Sequence, residues 1–267
     1  MLKPDKMTEE ETAKFIEMAD SIGEWLKLTM QENHGEFVVL GMSGGTDSLV
    51  VGKLATRTFG ADKVIGVFLP NGVQPDLEDA HSCAAAAGIT RTLTINIHDD
   101  YQIGLKQIEL IKGLEIIKGL GPKKLDNRQA EINLAPRIRM EKLYMVAQAL
   151  GEGRVLCTGN FSEALVGYCT LWGDLAGDLA PIGTLFKQDV CKLGMVLGLP
   201  EHLVYKAPSD GLSGKTDEDN LGFTYDDIRT YVNNPETLKI GVLGKIQARV
   251  KASQFKRDIV RIPKWGV

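Results

Sequence analysis

A turn rich in glycine and hydroxyl side chains, Ser43-Gly44-Gly45-Thr46-Asp47-Ser48, lies between an apolar run ending at Gly41 and a helix-like run starting at Leu49. Because glycine has no Cβ, the backbone N–H groups of such a turn can close around an anion. The serine and threonine hydroxyls add hydrogen-bond donors, and the start of a helix adds a partial positive charge. The pattern therefore predicts a binding site for a phosphate chain.

Asp47 is the one carboxylate in this turn, and a carboxylate beside phosphates is tolerable when both bind the same Mg²⁺. We therefore predict that Asp47 is a metal ligand. The spacing is not that of the Gly-x-x-x-x-Gly-Lys-Ser/Thr loop, and no Gly-x-Gly-x-x-Gly follows a predicted strand. The alternative interpretation is an ordinary strand-to-helix turn capped by Asp47 or Ser48.

The segments around this turn alternate between strand-like and helical patterns, which is typical of an open parallel sheet with ligands beyond the carboxyl ends of its strands. Pro136 lies within one predicted helix and should start a new helix or kink this one. We expect residues 119–124, which are rich in glycine and lysine, to form a mobile loop. The predicted strands are 37–40, 63–69, 91–97 and 154–157, and the predicted helices are 8–30, 49–59, 74–87, 99–121, 127–150, 187–197, one from about 225, and 238–255.

A second polar turn, Thr158-Gly159-Asn160-Phe161-Ser162-Glu163, follows the fourth predicted strand. If both turns lie at the same edge of the sheet, Glu163 comes close to Asp47, and two carboxylates with a triphosphate make a suitable Mg²⁺ site. Farther on, Asp174 and Asp178 lie among glycines and bulky side chains, a mixture that suits a site better than a core. The alternative is that these two aspartates cap short turns.

Composition excludes several classes of function. Lys and Arg total 31 and Asp and Glu total 35, so the net charge is −4, and no basic block indicates a nucleic-acid surface. The four cysteines form no Cys-x-x-Cys pair and read as small buried residues in a reducing compartment. No apolar run is long enough for a membrane helix. We expect a cytoplasmic protein with one domain.

The hexapeptide resembles the pyrophosphate loop of the ATP pyrophosphatases, which cleave ATP between its α and β phosphates. The motifs along nearly the whole chain, in this order, resemble those of the ammonia-dependent NAD synthetase family. They are Ser43 to Ser48, Asn71-Gly72-Val73-Gln74, Asn133 with Arg137, Arg139 and Met140, Thr158 to Glu163, Gly173-Asp174 with Asp178 and Pro181, Lys187, Pro208 to Leu212, and Thr216 to Asp219.

This resemblance implies a doubly wound parallel sheet with helices on both faces, of the adenine nucleotide alpha hydrolase-like kind. It implies one NAD synthetase domain over residues 1–267, without a glutaminase domain, assembled as a homodimer. The implied reaction uses ATP, Mg²⁺, ammonia and deamido-NAD. The nicotinate carboxylate attacks the α-phosphorus of ATP, and ammonia then displaces AMP from the acyl-adenylate to give NAD. No protein nucleophile is needed, so the protein acts by alignment and electrostatics.

The resemblance also implies residue roles. Asp47 and Glu163 would hold Mg²⁺, and with Lys187, which stabilises the leaving pyrophosphate, they would form the catalytic group. The ATP contacts would be Gly41, Ser43, Gly44, Gly45, Thr46, Asp47, Ser48, Thr158, Lys187 and Ser209. The acceptor contacts would be Arg137, Asp178 and Lys256, with Leu171, Trp172 and Phe255 at positions where this chain departs from the family pattern.

Those departures are specific. Many members have Thr-Lys-Tyr-Gly-Asp where this chain has Thr170-Leu171-Trp172-Gly173-Asp174, and His-Lys where it has Phe255-Lys256. Stacking on Trp172 and Phe255 would offset the lost polar contacts. Three alternatives stay open: nicotinate mononucleotide as the acceptor, a different ATP pyrophosphatase, and a catalytically silent nucleotide-binding protein. The acidic residues Asp217 to Asp219 read either as a solvated face or as a lid that helps hold metal or ammonium.

Overall fold

The computed structural model describes residues 6–73, 77–113, 127–206 and 216–258. Within these ranges no helix is both long and apolar enough to cross a membrane. The strands are β1 Phe37–Gly41, β2 Val64–Phe68, β3 Arg91–Thr94 and β4 Gly153–Val155. The α-helices are α1 Glu9–Glu32, α2 Thr46–Phe59, α3 Leu77–Ala87, α4 His98–Gly113, α5 Asn127–Ala149, α6 Phe161–Val166, α7 Lys187–Val196, α8 Glu201–Val204, α9 Asp217–Leu221, α10 Tyr225–Asn233, α11 Ile240–Ala252 and α12 Gln254–Arg257.

The described strands pair in parallel in the order β3-β2-β1-β4. Helices α1, α2, α3 and α7 pack on one face of this sheet, and α4 and α5 pack on the other. Successive side chains alternate between the faces: Val38 and Leu40 join the first apolar layer, and Val39 joins the second. The predicted α/β fold, a doubly wound parallel sheet with helices on both faces, is confirmed.

A third apolar cluster links helices α6, α9, α10 and α11. It places α10 next to α6 and α7, both of which carry predicted site residues. Its buried members are Val166, Leu221, Phe223, Tyr225, Ile228 and Ile246.

The strand order reverses between β1 and β4, because β2 and β3 are added on one side of β1 and β4 on the other. The register pairs Val39 with Val155, so the residues after Gly41 lie beside those after Val155. Ligands of open parallel sheets bind at such a reversal, outside the carboxyl ends of the strands. The predicted turns 43–48 and 158–163 both lie at this reversal.

Most predicted elements are present with shifted ends. β3 ends at Thr94 instead of residue 97, although the N–H groups of Ile95 and Ile97 still donate to the carbonyl oxygens of Phe68 and Pro70. Between them, the Asn96 side chain accepts the N–H groups of Gly72 and His98, both at 3.0 Å, directly before α4. β4 ends at Val155 instead of residue 157, although the Leu156 N–H still donates to the Val39 carbonyl oxygen at 2.9 Å and the Cys157 N–H, on the opposite side, donates to that of Leu179 at 2.8 Å.

Other expectations differ or lie outside the described residues. Helix α5 continues through Pro136, so no new helix starts there. The short helices α6, α8 and α9 were not predicted, because segments of four to six residues are too short to show a helical period. The first residues predicted for α3 (74–76), the end of the helix predicted over 99–121 and the loop 119–124 lie outside the described part.

The turn from Ser43 to Ser48, here called the phosphate turn, approaches α3 at Gly44. The φ of Gly44 is +79°, and a Cβ built there would lie 3.0 Å from the backbone nitrogen of Ala80. A side chain at this position would therefore need both a left-handed backbone and the displacement of a helix. The neighbouring Gly45 has φ −90° and would meet only the Ser43 hydroxyl, at 3.3 Å.

We predict that Gly44→Ala lowers the free energy of unfolding by about 1–3 kcal/mol, because it combines backbone strain with overpacking. Gly45→Ala, whose backbone is already extended, is the matched control and should cost less. Urea denaturation of both variants measures the difference. Equal losses for the two would contradict the close approach of α3 to Gly44.

Candidate active site

The phosphate turn is closed by its own hydroxyl groups. Ser43 Oγ accepts the Gly45 N–H at 3.3 Å and lies 3.2 Å from Ser48 Oγ, which donates to the Gly45 carbonyl oxygen at 3.0 Å. Gly45 is the N-cap of α2 and has no side chain with which to cap that helix. The first N–H groups of α2 are therefore not capped by a side chain and are suited to binding an anion.

The Thr46 hydroxyl, which the sequence suggested as a phosphate donor, is hydrogen-bonded inside the chain instead. Thr46 is almost completely buried, and its Oγ1 donates to the Val204 carbonyl oxygen at 2.8 Å. The hydroxyl is thus used to tie the turn to α8, and only the backbone N–H of Thr46 remains for a phosphate. Gly41 ends β1, directly before the turn.

The second turn positions Glu163 through its helix cap. Asn160, which is fully buried, is the N-cap of α6: its Oδ1 accepts the Glu163 N–H at 3.1 Å, and Glu163 Oε2 accepts the Asn160 N–H at 3.4 Å. Asn160 Nδ2 also donates to Asp47 Oδ1 at 3.2 Å. One amide side chain therefore connects the two turns and fixes both carboxylates.

Lys187 brings the predicted catalytic residues together. It is the first residue of α7 and is only 3% exposed. Its ammonium donates to Asp47 Oδ2 and lies 3.9 Å from Glu163 Oε1. The ammonium also lies 5.9 Å from the ring centroid of Tyr225, within cation–π range.

The charges of this group shift one another's pKa. Burial and the neighbouring charge of Asp47 raise the pKa of Glu163 to about 8, although Lys187 opposes the shift. Burial alone would lower the pKa of Lys187, but Asp47 and Glu163 outweigh that and raise its pKa above the ordinary value. Both shifts are in the direction expected when one ammonium does not fully balance two ionised carboxylates.

The two turns enclose a cavity of about 110 Å³. A larger depression, about 490 Å³, lies among the far ends of α2, α3 and α7 and contains none of the predicted residues. We assign the site to the smaller cavity, because the charged groups converge there. Its lining residues are Ser43, Gly45, Asp47, Ser48, Thr158, Gly159, Asn160, Glu163, Ala164, Cys169, Asp174 and Leu175.

No cysteine of the described chain is activated as a nucleophile. All four are free thiols, and three of them, Cys83, Cys157 and Cys191, are buried. Burial raises the pKa of Cys169, the thiol on the cavity wall, to about 12, and raises that of Cys157 as well. The sequence interpretation of the cysteines as small buried residues holds for Cys83, Cys157 and Cys191, whereas Cys169 is only partly buried.

The residues predicted for the acceptor fall into two groups. In the first, Arg137 Nε donates to the Leu171 carbonyl oxygen at 3.2 Å, and the following Trp172 is 52% exposed with φ +63°. A left-handed backbone is uncommon for a bulky aromatic residue. This exposed indole is two residues from Asp174 on the cavity wall.

In the second group the polar atoms are already used inside the chain. Asp178 accepts the Val155 N–H at 2.7 Å and the Tyr144 hydroxyl at 3.1 Å, so it closes the end of β4. Lys256 donates to the carbonyl oxygens of Gly167, at 2.9 Å, and Cys169, beyond the C-terminus of α6. Both residues position neighbouring backbone of the site. Phe255, next to Lys256, is 56% exposed.

Ser209 lies outside the described residues. Of the acidic residues after it, Asp217 is 8% exposed and accepts the Tyr225 hydroxyl at 3.0 Å, whereas Glu218 is partly buried and Asp219 is exposed. Glu218 accepts the Tyr225 N–H at 3.2 Å, and Asp219 forms a capping box with Thr216. All three therefore build the start of α9 and its connection to α10.

Sequence analysis gave no role to Asn160 or Tyr225. The spacing Asn-x-x-Glu is a helix-start signal, so a capping-box search would have assigned Asn160 to Glu163. Tyr225 carried no such signal, because an aromatic residue 38 positions from Lys187 reads as ordinary core.

Comparisons with known proteins identify the family. A family model described as NAD synthase matches residues 18–260. The NH(3)-dependent NAD(+) synthetase of Methanococcoides burtonii is 35% identical over 264 residues, covering 92% of this chain and 94% of that protein. The one from Pyrococcus horikoshii is 36% identical over 254 residues, covering 90% and 93%.

Two solved structures are similar over nearly the whole chain. NMN synthetase from Francisella tularensis has a TM-score of 0.79 at 29% identity, covering 94% of this chain and 99% of that one. NH3-dependent NAD synthetase from Campylobacter jejuni has a TM-score of 0.72 at 25% identity, with the same coverage. Because the family model spans most of the sequence and curated relatives exceed 30% identity nearly end to end, the chain belongs to the NAD synthase family.

Proposed function

We propose that this protein makes NAD by amidating the nicotinate carboxylate of deamido-NAD with ammonia, at the expense of ATP, with AMP and pyrophosphate as the other products. The observation that carries the proposal is the Lys187 ammonium, held between the Asp47 and Glu163 carboxylates beside an open helix N-terminus. The curated relatives named NH(3)-dependent NAD(+) synthetases support the same activity.

The proposed roles follow from position. The turn Ser43 to Ser48 and the first N–H groups of α2 bind the β and γ phosphates, with Thr158 on the facing wall. Lys187 lies beside the bond that breaks and stabilises the charge that develops on the leaving pyrophosphate. A carboxylate oxygen of the acceptor bonds to the α-phosphorus as pyrophosphate leaves. Ammonia then bonds to the acyl carbon, and AMP leaves with its new oxygen.

Asp47 and Glu163 fit a magnesium ion. Asp47 balances the Lys187 ammonium, and Glu163, whose pKa is raised to about 8, would release its proton when a cation binds. The described residues contain no group of three or more side chains arranged to hold a metal, so the remaining ligands would be phosphate oxygens and water. When bound, the ion would neutralise phosphate charge in the same way as Lys187 does.

We also propose a homodimer, a single domain and a cytoplasmic location. Exposed apolar side chains on α4 and α5, among them Ile103, Leu110, Ile132 and Met145, support an interface between copies. The family match over residues 18–260 supports one NAD synthetase domain. ATP and the ammonia acceptor are cytoplasmic metabolites, which supports the location.

Nicotinate mononucleotide is the second candidate acceptor. The specific observation in its favour is the similarity to a structure titled NMN synthetase, at a TM-score of 0.79. Deamido-NAD remains our assignment, because the curated relatives at 35–36% identity carry the NAD synthetase name. The exposed aromatic side chains of Trp172 and Phe255 also suit the ligand with the larger aromatic surface.

The direct test of the function is an end-point assay with ATP, Mg²⁺, ammonium and deamido-NAD. We expect equimolar NAD, AMP and pyrophosphate from the wild type. Asp47→Asn and Glu163→Gln should each lower turnover at least a hundredfold while leaving the fold intact, since an oriented charge at the reacting phosphate contributes about 3 kcal/mol or more. ADP and orthophosphate as products, or equal rates with glutamine in ammonia-free buffer, would contradict the proposal.

The raised pKa of Glu163 predicts a pH dependence of stability. The folded state holds this proton more tightly than the unfolded state, because its pKa rises from 4.5 to about 8. The stabilisation is complete below about pH 4.5 and is lost as the pH rises towards 8. Chemical denaturation of the nucleotide-free protein should show this loss, and Glu163→Gln should flatten it. Glu17→Gln, at an exposed site on α1, is the control and should keep the wild-type slope.

The choice of acceptor can be measured as kcat/KM for deamido-NAD and for nicotinate mononucleotide at saturating ATP and ammonium. We expect the higher value for the dinucleotide. Phe255→Ala should lower the value for the dinucleotide more than that for the mononucleotide, by up to about tenfold, since a stacked aromatic contributes about 0.5–1.5 kcal/mol. A wild-type preference for the mononucleotide would instead assign NMN synthesis to this protein.

A further inference from the structure

Helix α10 contacts every residue from Phe186 to Asp189, the N-cap and first turn of α7. This is the turn that begins with Lys187, yet α10 contributes no residue to the lining of the cavity. A helix that contacts this turn without lining the cavity is suited to holding Lys187 in position.

Helix α10 makes four contacts with this turn. The Tyr225 ring lies beneath the Lys187 ammonium, at 5.9 Å. Gln188 Nε2 donates to Asp226 Oδ1 at 2.7 Å. The remaining two contacts come from Arg229.

Arg229 holds α7 by charge and by stacking. Its Nη2 lies 2.8 Å from Asp189 Oδ2, and its guanidinium carbon lies 4.7 Å from the centroid of the Phe186 ring. Both side chains of the ion pair are partly buried, at 33% and 21% exposure. A partly buried pair of this kind orients a helix more firmly than a solvated one.

The Tyr225 ring is itself fixed. It is 1% exposed, its hydroxyl donates to Asp217 at 3.0 Å, and its N–H donates to Glu218 at 3.2 Å. The ring therefore cannot rotate away from Lys187 without breaking the connection between α9 and α10.

Lys187 needs such support. A cation in the first turn of a helix faces the positive end of the helix dipole, and this one is also removed from water. Asp47 and Glu163 attract its ammonium from the cavity side, and when a metal ion binds, these two carboxylates would be drawn to the ion. The contacts that then keep the ammonium in place must come from the side of Lys187 opposite the cavity, where α10 lies.

We propose that α10 is a positioning element for the reaction, and that Tyr225 and Arg229 hold Lys187 at the reacting phosphate without touching substrate. This inference rests on the proposed function, because it assumes that Lys187 acts at the α-phosphate. It also gives a role to the acidic residues Asp217 and Glu218, which fix Tyr225.

The chain offers a matched control on the same helix. Farther along α7, Lys192 forms an ion pair with Glu11 of α1 at 2.9 Å. This pair also ties α7 to a neighbouring helix, and it lies away from the first turn and from the cavity. Lys192→Met should therefore cost similar stability and leave turnover unchanged.

The experiment compares Arg229→Met, Arg229→Lys, Tyr225→Leu, Tyr225→Phe and Lys192→Met in steady-state assays with deamido-NAD. We expect Arg229→Met and Tyr225→Leu to lower kcat about tenfold to a hundredfold with the KM for ATP within twofold, since a small displacement of a catalytic group has effects of this size. Arg229→Lys and Tyr225→Phe should restore part of the loss. Lys192→Met should stay within twofold of the wild type.

Hydrogen exchange of the peptide covering residues 186–192, without substrates, is the second measurement. Arg229→Met should raise exchange in this peptide more than Lys192→Met does, whatever reaction the protein catalyses. Equal exchange and equal kcat in these two variants would overturn the positioning role. An inactive wild type with the expected exchange pattern would instead refute the proposed function and leave the role of α10 standing.

Discussion

The site depends on one buried cation between two carboxylates. Lys187 is almost completely removed from water, and a lone ammonium could not remain charged there. Asp47 supplies the opposite charge, and Glu163, whose pKa is raised to about 8, can release its proton when a further cation binds. The same arrangement therefore keeps the lysine charged in the empty state and leaves room for a metal and phosphates in the loaded state.

The three side chains meet because of the sheet. Asp47 follows β1, Glu163 follows β4, and Lys187 begins a helix packed on the same sheet. The reversal of strand order puts the ends of β1 and β4 side by side. Asn160 then joins the two turns, because its side chain donates to the Asp47 carboxylate and accepts the backbone N–H of Glu163. A change of one residue in the β1–β4 register would separate Asp47 from Glu163.

Sequence reasoning found the sheet because apolar runs alternate with helical patterns, and it found Asp47, Glu163 and Lys187 through motifs. It did not find what holds them. The contact of Asn160 with Asp47 and that of Tyr225 with Lys187 span more than 30 residues of sequence and arise from packing, which no local pattern encodes. The hydroxyl of Thr46 was assigned to phosphate from its type alone, whereas the fold turns it to the Val204 carbonyl oxygen. Residue types predicted the chemistry, and tertiary contacts decided which atoms remain available for it.

In the proposed reaction, this site activates a carboxylate by cleaving ATP between its α and β phosphates. The most direct measurement follows ¹⁸O from the nicotinate carboxylate of labelled deamido-NAD through one complete reaction with ammonium. We expect one labelled oxygen in AMP and none in pyrophosphate, because the carboxylate oxygen stays with the α-phosphorus when ammonia displaces AMP. Label in pyrophosphate or orthophosphate, or its full retention in the acceptor, would contradict it.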